Sequence, residues 1–230
     1  MTENASALHL VLTGDPALLA IVRLSLAVSL SATLIAALVG VPLGALIALT
    51  RFRGKEPMIV LLNALMGLPP VVVGLAVYLT LSRSGPLGSW GVLFTPQAMV
   101  IAQATLVTPI IAALTRQTIE DLWVEYRDEL TAMHVGPLRR VMTLIWDARF
   151  SLVTALLAGF GRAAAEVGAI IIVGGNISGF TRTMTTAIAL ETSKGDLPLA
   201  IGLGIVLMFI VVLISALAWG ARRAGERFAG

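Results

Sequence analysis

Between Pro16 and Thr50 the only charged side chain is Arg23, and several further long apolar runs follow before the C-terminus. A run of about 20 apolar residues is the length that crosses a bilayer as a helix. Only a helix or a closed barrel satisfies its own backbone there. The composition agrees with such runs: 57% of the 230 residues are apolar and 13% charged, against about 45–50% and about 25% in water-soluble domains. This argues against a soluble enzyme and rules out a disordered chain. The expectation is an all-α integral membrane protein of about five transmembrane helices. Their expected places are 17–49, 58–81, 96–114, 150–173 and 199–219.

Basic residues orient these spans. With loops assigned alternately, one side receives Arg51, Arg53, Lys55, Arg116, Arg127, Arg139, Arg140, Arg149, Arg222, Arg223 and Arg227. The other receives only Arg83, Arg182 and Lys194. Cytoplasmic loops carry the excess of Lys and Arg, so the N-terminus is expected outside and the C-terminus inside. Residues 1–16 lack the positive start of a secretory signal and read as a retained extracytoplasmic tail. The transmembrane domain is expected over 17–221, with a cytoplasmic loop at 115–149 and a cytoplasmic tail at 222–230.

That loop is amphipathic. Leu122, Tyr126, Leu130 and Met133 recur at helical spacing, and so do Leu138, Val141, Met142 and Ile145. Between the two runs stand Gly136, expected to supply a left-handed helix cap, and Pro137, suited to the first turn of a second helix. The predicted unit is helix, tight turn, helix, outside the membrane. Such a hairpin suits a lipid surface or a partner's groove, and the spacing does not choose between them.

Two features inside the apolar runs need an explanation. Gly67-Leu68-Pro69-Pro70 must interrupt the helical hydrogen-bond ladder of the second span, as a simple kink or as a pore-side break. Arg162 and Glu166 lie four residues apart in the fourth span and share a helical face. A charge at bilayer depth costs about 2.5–3.5 kcal/mol, so the pair is expected to face protein or a water-filled path rather than lipid. A structural ion pair is the plain alternative to a role in a path or gate. Small residues around it, such as Gly161/Ala165 and Ala164/Gly168, permit close helix packing within one chain or across a two-fold interface.

The segment Glu129-Leu130-Thr131-Ala132-Met133-His134-Val135-Gly136 resembles the "EAA" loop of bacterial ABC importer permeases. Ala132 and Gly136 fall in register, whereas Leu130 takes the usual Glu place and Glu129 is displaced by one. Leu68–Leu75, Ser84–Gly88, Gly161–Ala169 and Gly174–Thr183 resemble, in the same order, the molybdate/sulfate/tungstate branch of these permeases. Thr186–Asp196 points within that branch to the tungstate subgroup. The resemblance implies a homodimer that forms one oxyanion path in the inner (cytoplasmic) membrane. It implies two ATP-binding subunits docked at Glu129, Ala132, His134, Gly136 and Pro137, and an extracytoplasmic protein that delivers tungstate. Arg162, Glu166, Pro69 and Pro70 become pore or gate candidates. Asn176, Thr181 and Arg182 become candidates for contact with the delivery protein or substrate, although an outer segment rich in Thr reads first as an ordinary solvated surface.

Absences narrow the classes. The lysines, Lys55 and Lys194, do not stand in a Gly-Lys-Ser/Thr loop, so no cofactor is expected on this chain, and ATP with Mg would bind a separate ATPase. The histidines are His9 and His134 and there is no cysteine, which leaves no constellation for an intramembrane hydrolase or a metal site. Nucleic acid is not an expected partner, since the basic excess is a topology signal. The rivals are an integral membrane enzyme, a permease for molybdate or sulfate, and a secondary transporter that works without ATP.

Overall fold

The computed structural model describes residues 16–229. The expected outer tail, with His9, lies almost wholly outside them. Among the described residues there are nine α-helices and no strand. They are α1 Pro16–Leu49, α2 Lys55–Met66, α3 Pro70–Leu81, α4 Pro96–Ala132, α5 Pro137–Asp147, α6 Arg149–Ala164, α7 Gly168–Gly174, α8 Met184–Lys194 and α9 Leu197–Ala229. Three stretches are each long and apolar enough to cross a membrane: Leu18–Leu49, Pro96–Ala132 and Leu197–Gly220. Two bent pairs, α2 with α3 at 98° and α5 with α6 at 72°, raise the possible number to five.

Proline sets several helix starts. Pro70, Pro96 and Pro137 stand in the first turn of α3, α4 and α5, where the missing N–H leaves nothing unpaired. The second span is broken as expected: α2 ends on Gly67 and α3 starts after Pro69.

The centre of the molecule is α1 packed along α4. A Cβ on Gly44 would lie 2.4 Å from the Ala112 carbonyl, and one on Gly40 3.0 Å from the Thr108 carbonyl. Glycine at these two positions, four residues apart, brings the backbones together. On the other side of α4, a Cβ on Gly159 of α6 would meet Val107 at 2.8 Å. Gly161 has open space instead, so within the chain the close approach of α6 is made at Gly159.

The structure corrects two expected boundaries. The third span does not stop at Leu114. It continues as the single helix α4 through Ala132, about 55 Å at 1.5 Å per residue, which is longer than any bilayer core. No Gly or Pro interrupts residues 115–132, and Thr115 and Ile119 are fully buried, so hydropathy falls while the ladder and packing continue. The first charges that enter here are matched: Glu120 pairs with Arg116 and, at 3.1 Å, with Lys55.

Nor does the fourth span run unbroken to Val173. It ends at Ala164, and the short helix α7 begins at Gly168. Arg162 is therefore in a last helical turn and Glu166 beyond it. At the C-terminal end, the backbone of α9 stays helical through 222–229.

Candidate functional site

The break between α6 and α7 is built from side chains that satisfy the freed backbone. The Gln103 amide, from the third turn of α4, donates to the Ala163 carbonyl at 2.8 Å. Thr185, at the start of α8, donates to the Glu166 carbonyl at 2.8 Å. The Glu166 carboxylate accepts from the Ala169 N–H at 3.0 Å and from Arg162 at 2.7 Å. It caps α7 with a negative charge at the end where a helix favours one. The Glu166 side chain is 3% exposed and that of Arg162 31%. The anion is thus fixed inside the protein while its cation reaches the surface.

The second break adjoins the first. A Cβ on Gly168 would lie 2.9 Å from Val71, the second residue of α3. One on Gly74 of α3 would lie 2.7 Å from Ala169. Pro69 and Pro70 therefore begin the helix that packs on α7, and the pore candidates fall in one neighbourhood of two interrupted spans. Nonhelical backbone at membrane depth survives only where protein or a water-lined cavity satisfies it, and this junction meets that condition. Beside it lies a cavity of about 10 Å³, lined by Ser25, Ser29, Gln103, Thr183 and Thr185 among others. Gln103 is 1% exposed and its carbonyl oxygen has no partner among the described residues.

The turn between α4 and α5 forms at the expected place with a different cap. The left-handed residue is His134, at φ 52°, and Gly136 is extended at φ −66°, ψ 157°. The reason is Pro137: a residue before proline is pushed to extended backbone, so the cap moves two residues back. The Val135 N–H then closes on the Leu130 carbonyl at 3.1 Å and the His134 N–H on the Thr131 carbonyl at 3.0 Å, as such caps do. His134 Nδ1 lies 3.0 Å from the Ala132 carbonyl. Arg140 pins the turn, donating to the Val135 carbonyl at 2.7 Å and stacking 5.6 Å over Trp123.

Helix α5 has two apolar faces. Leu144 is fully buried, and Val141, Ile145 and Ala148 join it against the ends of α1 and α4. Leu138, Met142 and Trp146 point away and are 73%, 64% and 67% exposed, as is Met133 at 74%. Apolar side chains so exposed beside charged ones mark a surface that another body covers.

The outer segment differs from its expected solvated form. Thr181, Thr183, Thr185 and Thr186 are all buried. Thr181 donates to the Gly174 carbonyl at 2.6 Å and accepts from the Ile177 N–H at 2.9 Å. It therefore holds a loop together and offers no outward donor. Thr183 and Thr186 cap α8 reciprocally, a Thr-x-x-Thr version of the capping box. The Met184 N–H reaches Ser25 of α1 at 2.8 Å. Asn176, at φ 49°, donates weakly to the Thr186 carbonyl at 3.4 Å. Arg182 is half-buried and makes no ion pair among the described residues, and its Nε has no partner. Of the three outer candidates, Arg182 keeps an available charge and Thr181 does not keep an available hydroxyl.

Sequence reasoning missed Gln103, Ser25 and the Lys55–Glu120–Arg116 cluster. A Gln in the middle of an apolar span was the visible signal for the first. The other two depend on which helices meet.

No family model matches the chain. It is 42% identical, over 93% of its length and 94% of theirs, to the tungstate uptake system permease protein TupB of Peptoclostridium acidaminophilum. It is 40% identical to a probable anion ABC transporter permease protein of Haloferax volcanii, over 89% of this chain and 90% of that one. A molybdenum transport system permease protein, ModB of Azotobacter vinelandii, is 28% identical over 74% of this chain and 79% of its own.

Proposed function

Since the chain belongs to the permease subunits of ABC-type oxyanion importers, we propose that it forms the membrane path for tungstate as a homodimer driven by two separate ATPase subunits. The observation that carries the substrate is the 42% identity to a tungstate permease across nearly both whole chains. Molybdate and sulfate permeases are more distant, at 28% and 26%.

In this reading the chain spans the inner membrane five times, with its N-terminus outside. The basic residues of the α1–α2 turn, of α5 and of the C-terminal end of α9 then lie inside. The turn from Glu129 through Ala132, His134, Gly136 and Pro137 meets the ATPase, and the exposed Met133, Leu138, Met142 and Trp146 supply its apolar contact. ATP and Mg belong to the ATPase, and this chain makes and breaks no covalent bond. Closure of the two ATPases moves the α4–α5 turns, and the bundle rocks between two packed arrangements. The double break at Pro69-Pro70 and Glu166 is where the path opens and shuts, with Arg162 presented to the passing dianion. Arg182 and Asn176, on the outer side, meet the protein that delivers the oxyanion.

The test is ATP hydrolysis by the complex reconstituted with its ATPase and delivery protein. Tungstate is expected to raise the rate well above molybdate or sulfate at equal occupancy of the delivery protein. A response to molybdate or sulfate alone would reassign the substrate. Uptake by this chain alone in liposomes, under an ion gradient and without ATP, would overturn the ATP-driven reading in favour of a secondary transporter.

A further inference from the structure

Exposure on the long helices divides by chemistry. On α1 and α9 the exposed side chains include Leu34, Leu38, Met208 and Phe209, all above 60% exposed. Such surfaces suit hydrocarbon. On α6 the exposed residues are Ser151, Thr154 and Ala158, and between Trp146 and Ile171 no large apolar side chain is exposed. On α4 from Pro96 to Asp121 the exposed residues are Gln97, Thr105, Gln117 and Asp121, every one polar.

These residues are ordered in space. Ser151, Thr154, Ala158 and Arg162 follow one another by three or four positions and so form one face of α6. Its α5 end opens into a groove of about 320 Å³ against α4, lined by Leu114, Gln117, Thr118, Asp121, Ser151 and Thr154. Polar groups turned to lipid carry a heavy cost, so this face meets water or protein. The groove is open, and its far end carries a carboxylate, Asp121, that makes no ion pair among the described residues. Neither property suits a dry contact with an identical copy.

We infer that this face of α6, with the facing turn of α4, walls the inner half of the oxyanion path, and that Asp121 at its mouth repels the anion towards the cytoplasm. The inference rests on the transport reading above. From the Arg162 end the wall is made of small, uncharged side chains, and Arg162 itself is paired with Glu166 at 2.7 Å. A dianion therefore meets no unpaired cation along the wall and then a like charge at its mouth, whose field reaches about one Debye length, about 8 Å. Such an arrangement favours release over retention.

The chain has no cysteine, so single thiols can be introduced and read on this subunit in the assembled transporter in proteoliposomes. The probes are membrane-impermeant methanethiosulfonates, one anionic and one cationic. Thr154→Cys and Ala158→Cys are expected to react at least about tenfold faster than Leu38→Cys and Met208→Cys, because only a hydrated thiol ionises and reacts. At Thr118→Cys the cationic reagent is expected to outpace the anionic one by about threefold, and Asp121→Asn to abolish that difference. Reaction at Thr154→Cys and Ala158→Cys as slow as at Leu38→Cys would overturn the inference. So would cross-linking of Ala158→Cys between two copies without reaction with either reagent. Equal rates for the two reagents at Thr118→Cys would overturn the role of Asp121. Fast groove thiols in a complex whose ATP hydrolysis no oxyanion stimulates would sink the transport reading and leave the hydrated wall standing.

Discussion

Single residues carry unequal weight in this molecule, and the geometry says which. Gly44 has no room for a Cβ, because the atom in the way is the backbone carbonyl of Ala112 at 2.4 Å. Gly44→Val must separate α1 from α4, at a cost of at least about 1–3 kcal/mol from overpacking. Gly161→Ala adds a methyl into open space and should leave stability unchanged. Thermal unfolding in detergent, followed by size-exclusion chromatography, compares the two. Glu166 is the other sensitive position, since one buried carboxylate holds both Arg162 and the start of α7. Glu166→Ala leaves both without a partner, and loss of a buried ionic partner costs about 3–5 kcal/mol. Glu166→Gln keeps an acceptor for the Ala169 N–H and should lose less. Denaturation midpoints of the two variants in one detergent decide the order. The shared face of Arg162 and Glu166 was legible from their spacing of four, but not that they pair with each other rather than with another helix. The break between them was not legible either, because the groups that permit it come from Gln103 and Thr185, which are far away in the sequence.

At the scale of elements, the α4–α5 unit shows what patterning reveals and what it hides. The turn and the first-turn proline were readable from Gly136-Pro137. The identity of the left-handed residue was not, because proline acts on its predecessor and moves the cap to His134. A side chain in that conformation costs about 1–2 kcal/mol relative to glycine. His134→Gly should therefore keep or strengthen the turn, and His134→Val should weaken it. Hydrogen exchange at the amides of 133–136 reads the difference. The periodicity of α5 also concealed that its apolar residues serve two faces. Leu144→Asp buries a charge in a fully closed position and should abolish folding. Met142→Asp lies on the free face and should leave the fold intact while reducing co-purification with the ATPase. Equal retention of the ATPase by Met142→Asp and the parent chain would remove α5 from the docking surface. The continuity of α4 past Leu114 was hidden for a different reason. Hydropathy reports the surroundings of a helix, and the surroundings change at the bilayer edge while the backbone ladder does not.

The whole molecule reads as a membrane protein from its composition alone, and its helical class follows from the same apolar runs. Counting spans needed the structure. Three stretches are long and apolar enough to cross singly, the second expected crossing is the bent pair α2–α3, and the fourth is interrupted between α6 and α7. The Thr-rich segment also needed the structure: its hydroxyls are buried, capping α8 and fastening the segment to the α6–α7 break and the end of α7, while Ser25 of α1 accepts from the Met184 N–H. Orientation gives the prediction proper to this scale. Lysine and cysteine labelling from the cytoplasmic face of oriented vesicles should reach Lys55 and a thiol at Arg139→Cys. Labelling from the outer face should reach Lys194 and a thiol at Arg83→Cys. The opposite pattern would reverse the assigned sides and detach the α4–α5 turn from any ATPase.

The length of α4 has a mechanical consequence. A displacement applied near Met133 meets no joint until it is well inside the bilayer, since Pro109 is buried in packed surroundings and nothing looser precedes it from that end. The shaft is stiff and clasped to α1 along Gly40 and Gly44. The helix breaks lie elsewhere, where α2 meets α3, α5 meets α6 and α6 meets α7, and a stroke delivered at one end of the rod is expected to be spent as rotation at those elbows.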